Sequence, residues 1–517
     1  MTRFARYLHG VTSGFAVLVI NALFSLASVS LALHFLSKEE FGLWALGAQV
    51  AVYLTFVDMG MSASIARLLI DHKDERANGA YGSMIRTALL AFSAQAALIL
   101  VAGIGVSLVA PTLFRIPGEL QREFILLLTG LTVVTAANFV TRIFSQILHA
   151  HQRMDIYNYI QIVGLAVNFA VLWLAFRLGA GVFSLLFASA AAWSVSLVCG
   201  LACHTLGFWP KPGEWGRLSW LNLREMFVYG MDLFWIALAT QMILSSQPLI
   251  ASRVLGLEAA AIWAVMIKPF TLVSQLVWRP IGLSMPAFAE MQVRGERTRF
   301  WERYAQMFQT LTAMSCLGAV LFATCNAPFV AIWTGGKMHW PVINDWLLAV
   351  WMILLTQLGA HTQVLMSLKQ TRGLKLIYTA EALVFVLVGI AVTRWSGFSG
   401  MLVSSIACSC IFSLTYSSYH VMRAARGEVV GILWNGQVPM FRLLATTLPV
   451  ALLLQWLTRE MAPAARLAFT GVPVGIIGSI VLLRHCLPGE FASRIKAVVP
   501  RALRPIFIGE KAAPLSD

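Results

Sequence analysis

Charge is scarce in this chain. Asp, Glu, Lys and Arg make up 12% of its 517 residues, against about 25% in an ordinary soluble domain, and the mean hydropathy is +0.76. Too little polar surface is available to solvate a globular protein of this length. Acidic residues are scarcer than basic ones, 23 against 38, which leaves a net charge of +15. No stretch interleaves dense basic residues with aromatics on a polar background, so the basic excess does not describe a nucleic-acid surface. Cysteine is also sparse: the seven lie in or beside apolar runs without zinc-ligand spacing, which fits small packing residues in helices. Catalytic signatures are missing as well. There is no GxxxxGKS/T loop, the TGGK at Thr334 to Lys337 has the wrong spacing, and neither HExxH nor GxSxG occurs. The chain is read as a non-enzyme with no metal and no cofactor.

What is present is hydrophobic length. Apolar runs bounded by charges, Gly or Pro give fourteen candidate spans, each near the roughly 20 residues that cross a bilayer. The first, Gly10 to Leu36, exceeds the roughly 7 to 15 residues of a signal-peptide core, so it is expected to remain in the mature protein. The spans predict an all-α polytopic membrane protein with about 14 transmembrane helices.

Basic residues orient them. With the N-terminus placed in the cytoplasm, the inner segments carry 26 Lys and Arg, the outer segments nine, and the spans themselves three. Such an asymmetry, summed over the loops, is the positive-inside signature, and both termini are expected on the cytoplasmic side. The outer loops are too short for a folded catalytic domain.

Two segments resemble one another. FLSKEEFGLWAL at residues 35–46 and VLGLEAAAIWAV at 254–265 align Leu36 with Leu255, Glu39 with Glu258, Trp44 with Trp263 and Ala45 with Ala264. The same offset aligns Arg153 with Arg372 and Tyr159 with Tyr378. Because each repeat contains six spans, both copies share one orientation, and two pseudo-symmetric six-helix lobes follow. The expected division is a lobe at 1–206, a cytoplasmic linker at 207–224, a second lobe at 225–422, two appended helices within 423–485 and a cytoplasmic tail at 486–517.

Polar residues inside spans are costly and point to a cavity or a partner. In span four Thr135, Asn138, Arg142, Ser145, His149 and Arg153 recur at intervals of three or four, which places them on one helix face. Lys268, Thr271, Gln275 and Arg279 repeat the pattern in span eight. Arg142 and Arg279, with Lys268 as a point charge, suit an anionic head group, with Asn138 and Gln275 alongside. Each cation also fits an internal ion pair or a side chain reaching for the interface. Asp58, Asp232, His361 and Glu381 are the candidates for ion coupling or for pairing with those cations.

FGLWAL (Phe41 to Leu46), YLTFVDMGMSASIARLL (Tyr53 to Leu69) and ILHAHQRMDIYNYIQIVGLAVN (Ile147 to Asn168), with Arg3 and Arg6 before the first span, resemble the bacterial polysaccharide-transporter family of lipid-linked oligosaccharide flippases. That family belongs to the multidrug/oligosaccharidyl-lipid/polysaccharide exporter superfamily. The resemblance implies translocation of an undecaprenyl-pyrophosphate-linked saccharide across the bacterial inner membrane by alternating access, for surface polysaccharides of the O-antigen type. It implies a lipid-linked saccharide substrate, a bilayer environment, and a polysaccharide polymerase and glycosyltransferases as partners, with no nucleic acid. Two other readings stay open on the residues alone: a cation-coupled drug antiporter of the same superfamily, which would want acids in its cavity, and a membrane polysaccharide polymerase or ligase, which would want a large outer loop.

Overall fold

The computed structural model describes residues 3–72, 75–151, 153–368, 370–425 and 429–487. The side chains of Asp232 and Arg279, and nearly all of the expected cytoplasmic tail, lie outside the described set. No strand occurs among the described residues. Twelve helical segments there are long and apolar enough to cross a membrane. One of them, Arg372–Ala424, runs for 53 residues and holds two of the fourteen apolar runs. It breaks at Gly397, whose φ of 58° and ψ of −144° suit a residue without a Cβ. The apolar run from Phe227 to Ala251, one of the fourteen, lies on a 36-residue helix that continues through Pro248.

The chain divides into two compact units, Met1–Ala264 and Val265–Asp517. The first holds α1 (Arg3–Phe35), α2 (Lys38–Leu54), α3 (Met61–His72), α4 (Ala80–Leu113), α5 (Gly118–Ala150), α6 (Met154–Arg177), α7 (Ser184–Ser196), α8 (Val198–Thr205) and α9 (Trp220–Leu255), and it ends within α10 (Leu257–Val293). Helix α4 packs along α5, α6 against α1 and α7, and α9 against α2, α3 and α4. The second unit holds α11 (Arg297–Thr334), α12 (Ile343–Ser367), α13 (Thr371–Ser409), α14 (Thr415–Ala424), α15 (Val429–Leu457), α16 (Pro463–Arg466) and α17 (Val472–Val481). Its central element is α11, which packs against α12 and α15.

The sequence SKEE that separates the first two spans is a helix start. Ser37 Oγ accepts from Glu40 N at 3.2 Å while Ser37 N donates to Glu40 Oε2 at 2.8 Å, a reciprocal cap that satisfies two otherwise orphaned donors. Its counterpart in the sequence repeat packs on it. Lys38 Nζ lies 2.7 Å from Glu258 Oε1, and Gly42 faces the Leu257 carbonyl so closely that an added Cβ would sit 2.3 Å from that oxygen. Both charges are about half exposed, so the pair contributes at most about 1 kcal/mol. The backbone approach at Gly42 is the stricter constraint.

The Trp- and Pro-rich segment at 207–219, the part of the expected linker that precedes α9, is a fixed strap across the start of α4. Arg76 Nη1 donates to the Gly207 carbonyl at 2.9 Å, Tyr81 OH to the Phe208 carbonyl at 3.0 Å and Ser83 Oγ to the Arg217 carbonyl at 2.6 Å. His151 stacks on Phe208 with ring centroids 4.0 Å apart. A Cβ on Gly82 would lie 2.2 Å from the Glu214 carbonyl oxygen, a backbone atom with no room to yield. Gly82→Val should therefore destabilise the folded state by about 1–3 kcal/mol, as overpacking does elsewhere. Thermal unfolding in detergent checks this, and a transition equal to that of the unchanged protein would show that the strap is not seated on α4.

Inside the spans most hydroxyls satisfy themselves. Thr132, Thr135, Thr310, Thr324 and Thr356 each donate to the carbonyl four residues back at 2.7 to 2.9 Å. A hydroxyl in an apolar helix is thus a weak indicator of a cavity. Amides and guanidinium groups, with several donors each, cannot be satisfied this way.

Candidate functional site

A cavity of about 830 Å³ opens within the first unit, lined from α1, α2, α3, α5, α6, α7 and α8. Helix α5 supplies its polar wall. Thr135, Asn138, Arg142 and Ser145, four members of the three-and-four-spaced stripe, all line it, because that spacing holds side chains on one face through three turns. The stripe leaves the cavity beyond Ser145. His149 lies edge-on to Tyr157 at 5.1 Å, and Arg153 pairs with Asp155 at 3.0 Å.

Arg142 is the one charged side chain among the described lining residues. Its Nη1 donates to Asp58 Oδ1 at 2.9 Å and to Ser62 Oγ at 3.2 Å, and its guanidinium lies 4.0 Å above the Phe139 ring. Asp58 is positioned by a helix break. A 3-10 turn over Thr55–Asp58 ends at Met59 (φ 47°) and Gly60 (φ 70°), and the Ser62 hydroxyl and backbone N–H both donate to the carboxylate. Among the described residues, one of the three guanidinium nitrogens is hydrogen-bonded. Both partners keep 20–24% of their side-chain exposure, so the pair sits in a wet pocket rather than a dry core. Such a pair is exchangeable: an incoming anion can take the guanidinium without leaving a fully buried, uncompensated carboxylate.

Neutral donors and acceptors complete the wall. Gln161 Nε2 donates to Tyr157 OH at 2.6 Å, Asn168 Nδ2 to the Ala188 carbonyl at 3.1 Å and Trp193 Nε1 to Thr141 Oγ1 at 3.2 Å. Asn21 of α1 also lines the cavity. No residue of α6 is among the cavity candidates read from sequence. Tyr157, Gln161 and Asn168 nevertheless follow a helical i, i+4, i+11 spacing that would have flagged them. A cavity of this size, mainly apolar with convergent polar groups, fits the usual range of small-molecule sites, roughly 300–1,000 Å³.

The remaining candidates lie elsewhere. Lys268 is partly buried and Gln275 exposed on α10, and neither lines this cavity; Thr271 closes on the Ile267 carbonyl at 3.0 Å. His361 is buried in the second unit, where its Nδ1 bonds Tyr304 OH and its ring stacks on Phe308 at 5.0 Å. Glu381 is fully buried and accepts from Ser409 Oγ at 2.7 Å. A second buried carboxylate escaped the sequence reading. Asp345, at the start of α12, accepts from Asn326 Nδ2 at 2.6 Å and Trp340 Nε1 at 3.0 Å, tying α11, α12 and the intervening loop together. Its place at a span end makes it look like an interfacial residue in sequence. Among the described residues no group of three or more His, Cys, Asp or Glu could hold a metal ion.

The fold resembles those of solved multi-helix membrane transporters of the MOP superfamily. An inward-facing multidrug resistance MATE family transporter of that superfamily matches with a TM-score of 0.63 at 13% identity, over 79% of this chain and 96% of that one. Lipid II flippase MurJ in an inward closed conformation matches with a TM-score of 0.61 at 12% identity, over 92% and 98%. A mutant of the Vibrio cholerae MATE transporter VcmN gives 0.54 at 13%, over 82% and 98%. At these identities the likeness establishes the fold alone. The family is shown by sequence: the family model described as "Polysaccharide biosynthesis protein" matches residues 7–292, more than half of the chain, and the chain belongs to that family. No curated protein matches it significantly.

Proposed function

We propose that this protein moves a polyprenyl-pyrophosphate-linked saccharide from the inner to the outer leaflet of the bacterial inner membrane by alternating access. The observation that carries the reading is Arg142: a guanidinium held in a partly exposed cavity, stacked on Phe139, with one nitrogen engaged among the described residues. A pyrophosphate offers oxygens matched to its fixed fork of donors, and the surrounding amides suit sugar hydroxyls. The membership in a polysaccharide biosynthesis family and the fold shared with a lipid flippase support the same substrate class. In this reading the repeat assigns one six-helix lobe to 1–206 and another to 225–422, the basic residues put both termini in the cytoplasm, and glycosyltransferases and a polymerase act before and after the transport step.

The α10 set of Lys268, Gln275 and Arg279 is assigned to a second group of head-group contacts. Coupling, if an ion drives transport, falls to Glu381 or Asp232 rather than to His361, whose ring is occupied by Tyr304 and Phe308. An antiporter of cationic drugs would use Asp58 as its cation receptor, but Asp58 is already neutralised by Arg142.

The test is reconstitution. Protein in sealed vesicles with a fluorescent polyprenyl-pyrophosphate saccharide on one side should expose the label to a membrane-impermeant quencher on the other. Exposure no faster than in protein-free vesicles rejects the reading.

A further inference from the structure

The helix break that positions Asp58 has a second face. Thr55 and Ser62 look into the polar cavity, whereas Val57, Met59 and Met61 line a separate cleft of about 810 Å³ on the other side. That cleft is closed by Leu90 and Leu98 of α4 and by Leu223 and Phe227 of α9, with Arg224 as the one charged residue among its described lining residues. Leu90 and Leu98 remain 48% exposed and Phe227 41%, so a concave apolar surface stands open beside a transmembrane helix. Gln95 clamps the wall from within, donating to the Val57 and Asp58 carbonyls at 2.9 Å each.

Three features identify an occupant. Eight residues of α4 separate Leu90 from Leu98, a rise of about 12 Å, close to the depth of one leaflet of a hydrocarbon core about 30 Å thick. Trp220 and Arg224 are one turn apart on α9, at the end of that helix where aromatic and basic residues mark the lipid head-group level. The neighbouring strap adds exposed Arg217, and Arg86 bonds the Gly216 carbonyl, so the cleft mouth is basic although Glu225 adjoins Arg224. We infer that this cleft binds one acyl chain of an anionic phospholipid, with the lipid phosphate on Arg224. The bound chain packs against Met59 and Met61 and so braces the break from which Asp58 reaches Arg142.

The test uses the full-length protein in detergent with native mass spectrometry, titrated with phosphatidylglycerol or phosphatidylcholine. Leu98→Trp and Leu90→Trp, which fill the cleft, should weaken phosphatidylglycerol binding about ten-fold, as loss of a buried apolar segment requires. Leu98→Ala should keep it. Arg224→Gln should lower the preference for phosphatidylglycerol over phosphatidylcholine about ten-fold, the scale of a charge-assisted contact. Thermal unfolding of each variant confirms folding, and Leu98, half exposed, tolerates the larger side chain. Equal phosphatidylglycerol binding by the filled variants overturns the inference. A photo-crosslinker at position 98 gives a second readout: phospholipid adducts support the inference, whereas adducts to polyprenyl phosphate or to peptide from residues 488–517 overturn it.

Discussion

Arg142→Ala should weaken binding of a polyprenyl-pyrophosphate saccharide about 100-fold, near 3 kcal/mol, because two charge-assisted hydrogen bonds to phosphate are lost at about 1.5 kcal/mol or more each. Arg142→Lys should recover part of that loss. A lysine supplies the charge but neither the planar fork nor the stacking on Phe139. The substitution also strands Asp58, yet that carboxylate is partly exposed and hydrated, so the cost to folding should stay near 1 kcal/mol. Equilibrium binding in nanodiscs, with the Arg142→Ala/Asp58→Ala double variant alongside, separates the two effects. If the double variant regains affinity, Arg142 serves mainly to neutralise Asp58 and the phosphate contact lies elsewhere.

Asp58→Asn should act in the opposite direction on affinity. The carboxylate competes with the substrate for the same guanidinium nitrogen, and a pair this exposed is worth about 1 kcal/mol, so removing its charge should tighten head-group binding about five-fold. Maximal transport should fall, because in the proposed cycle Asp58 takes Arg142 back when phosphate leaves. The measurement is a pair of curves, equilibrium binding and initial transport rate, for the same variant. A loss of affinity matching that of Arg142→Ala would mean instead that Asp58 and Arg142 act as one structural unit.

How far these features could be read in the sequence depended on whether they were helical and local. The stripe on α5 was legible because an α-helix converts a spacing of three or four into a face, and Arg142 stood out because nothing within its own helix can satisfy a guanidinium. Its pairing with Asp58 was foreseen only as one of several possibilities. The break at Thr55–Asp58 that aims the carboxylate depends on Met59 and Gly60 adopting positive φ, and a methionine gives little warning of that. The segment at 207–224 read as a linker because Pro, Gly and Trp interrupt its periodicity. Its order comes from backbone carbonyls taken up by Arg76, Tyr81 and Ser83, partners more than a hundred residues away. The two similar steps at 35–46 and 254–265 were visible as text. That Gly42 packs against Leu257 was not, since only a tertiary contact explains why a glycine follows Phe41.

The most direct measurement is the structure of the protein in a lipid nanodisc with a bound polyprenyl-pyrophosphate saccharide. Phosphate oxygens about 2.7–2.9 Å from the Arg142 guanidinium, with Asp58 displaced, are the predicted result. Density for the pyrophosphate away from this cavity, with the Asp58–Arg142 pair intact, would contradict it.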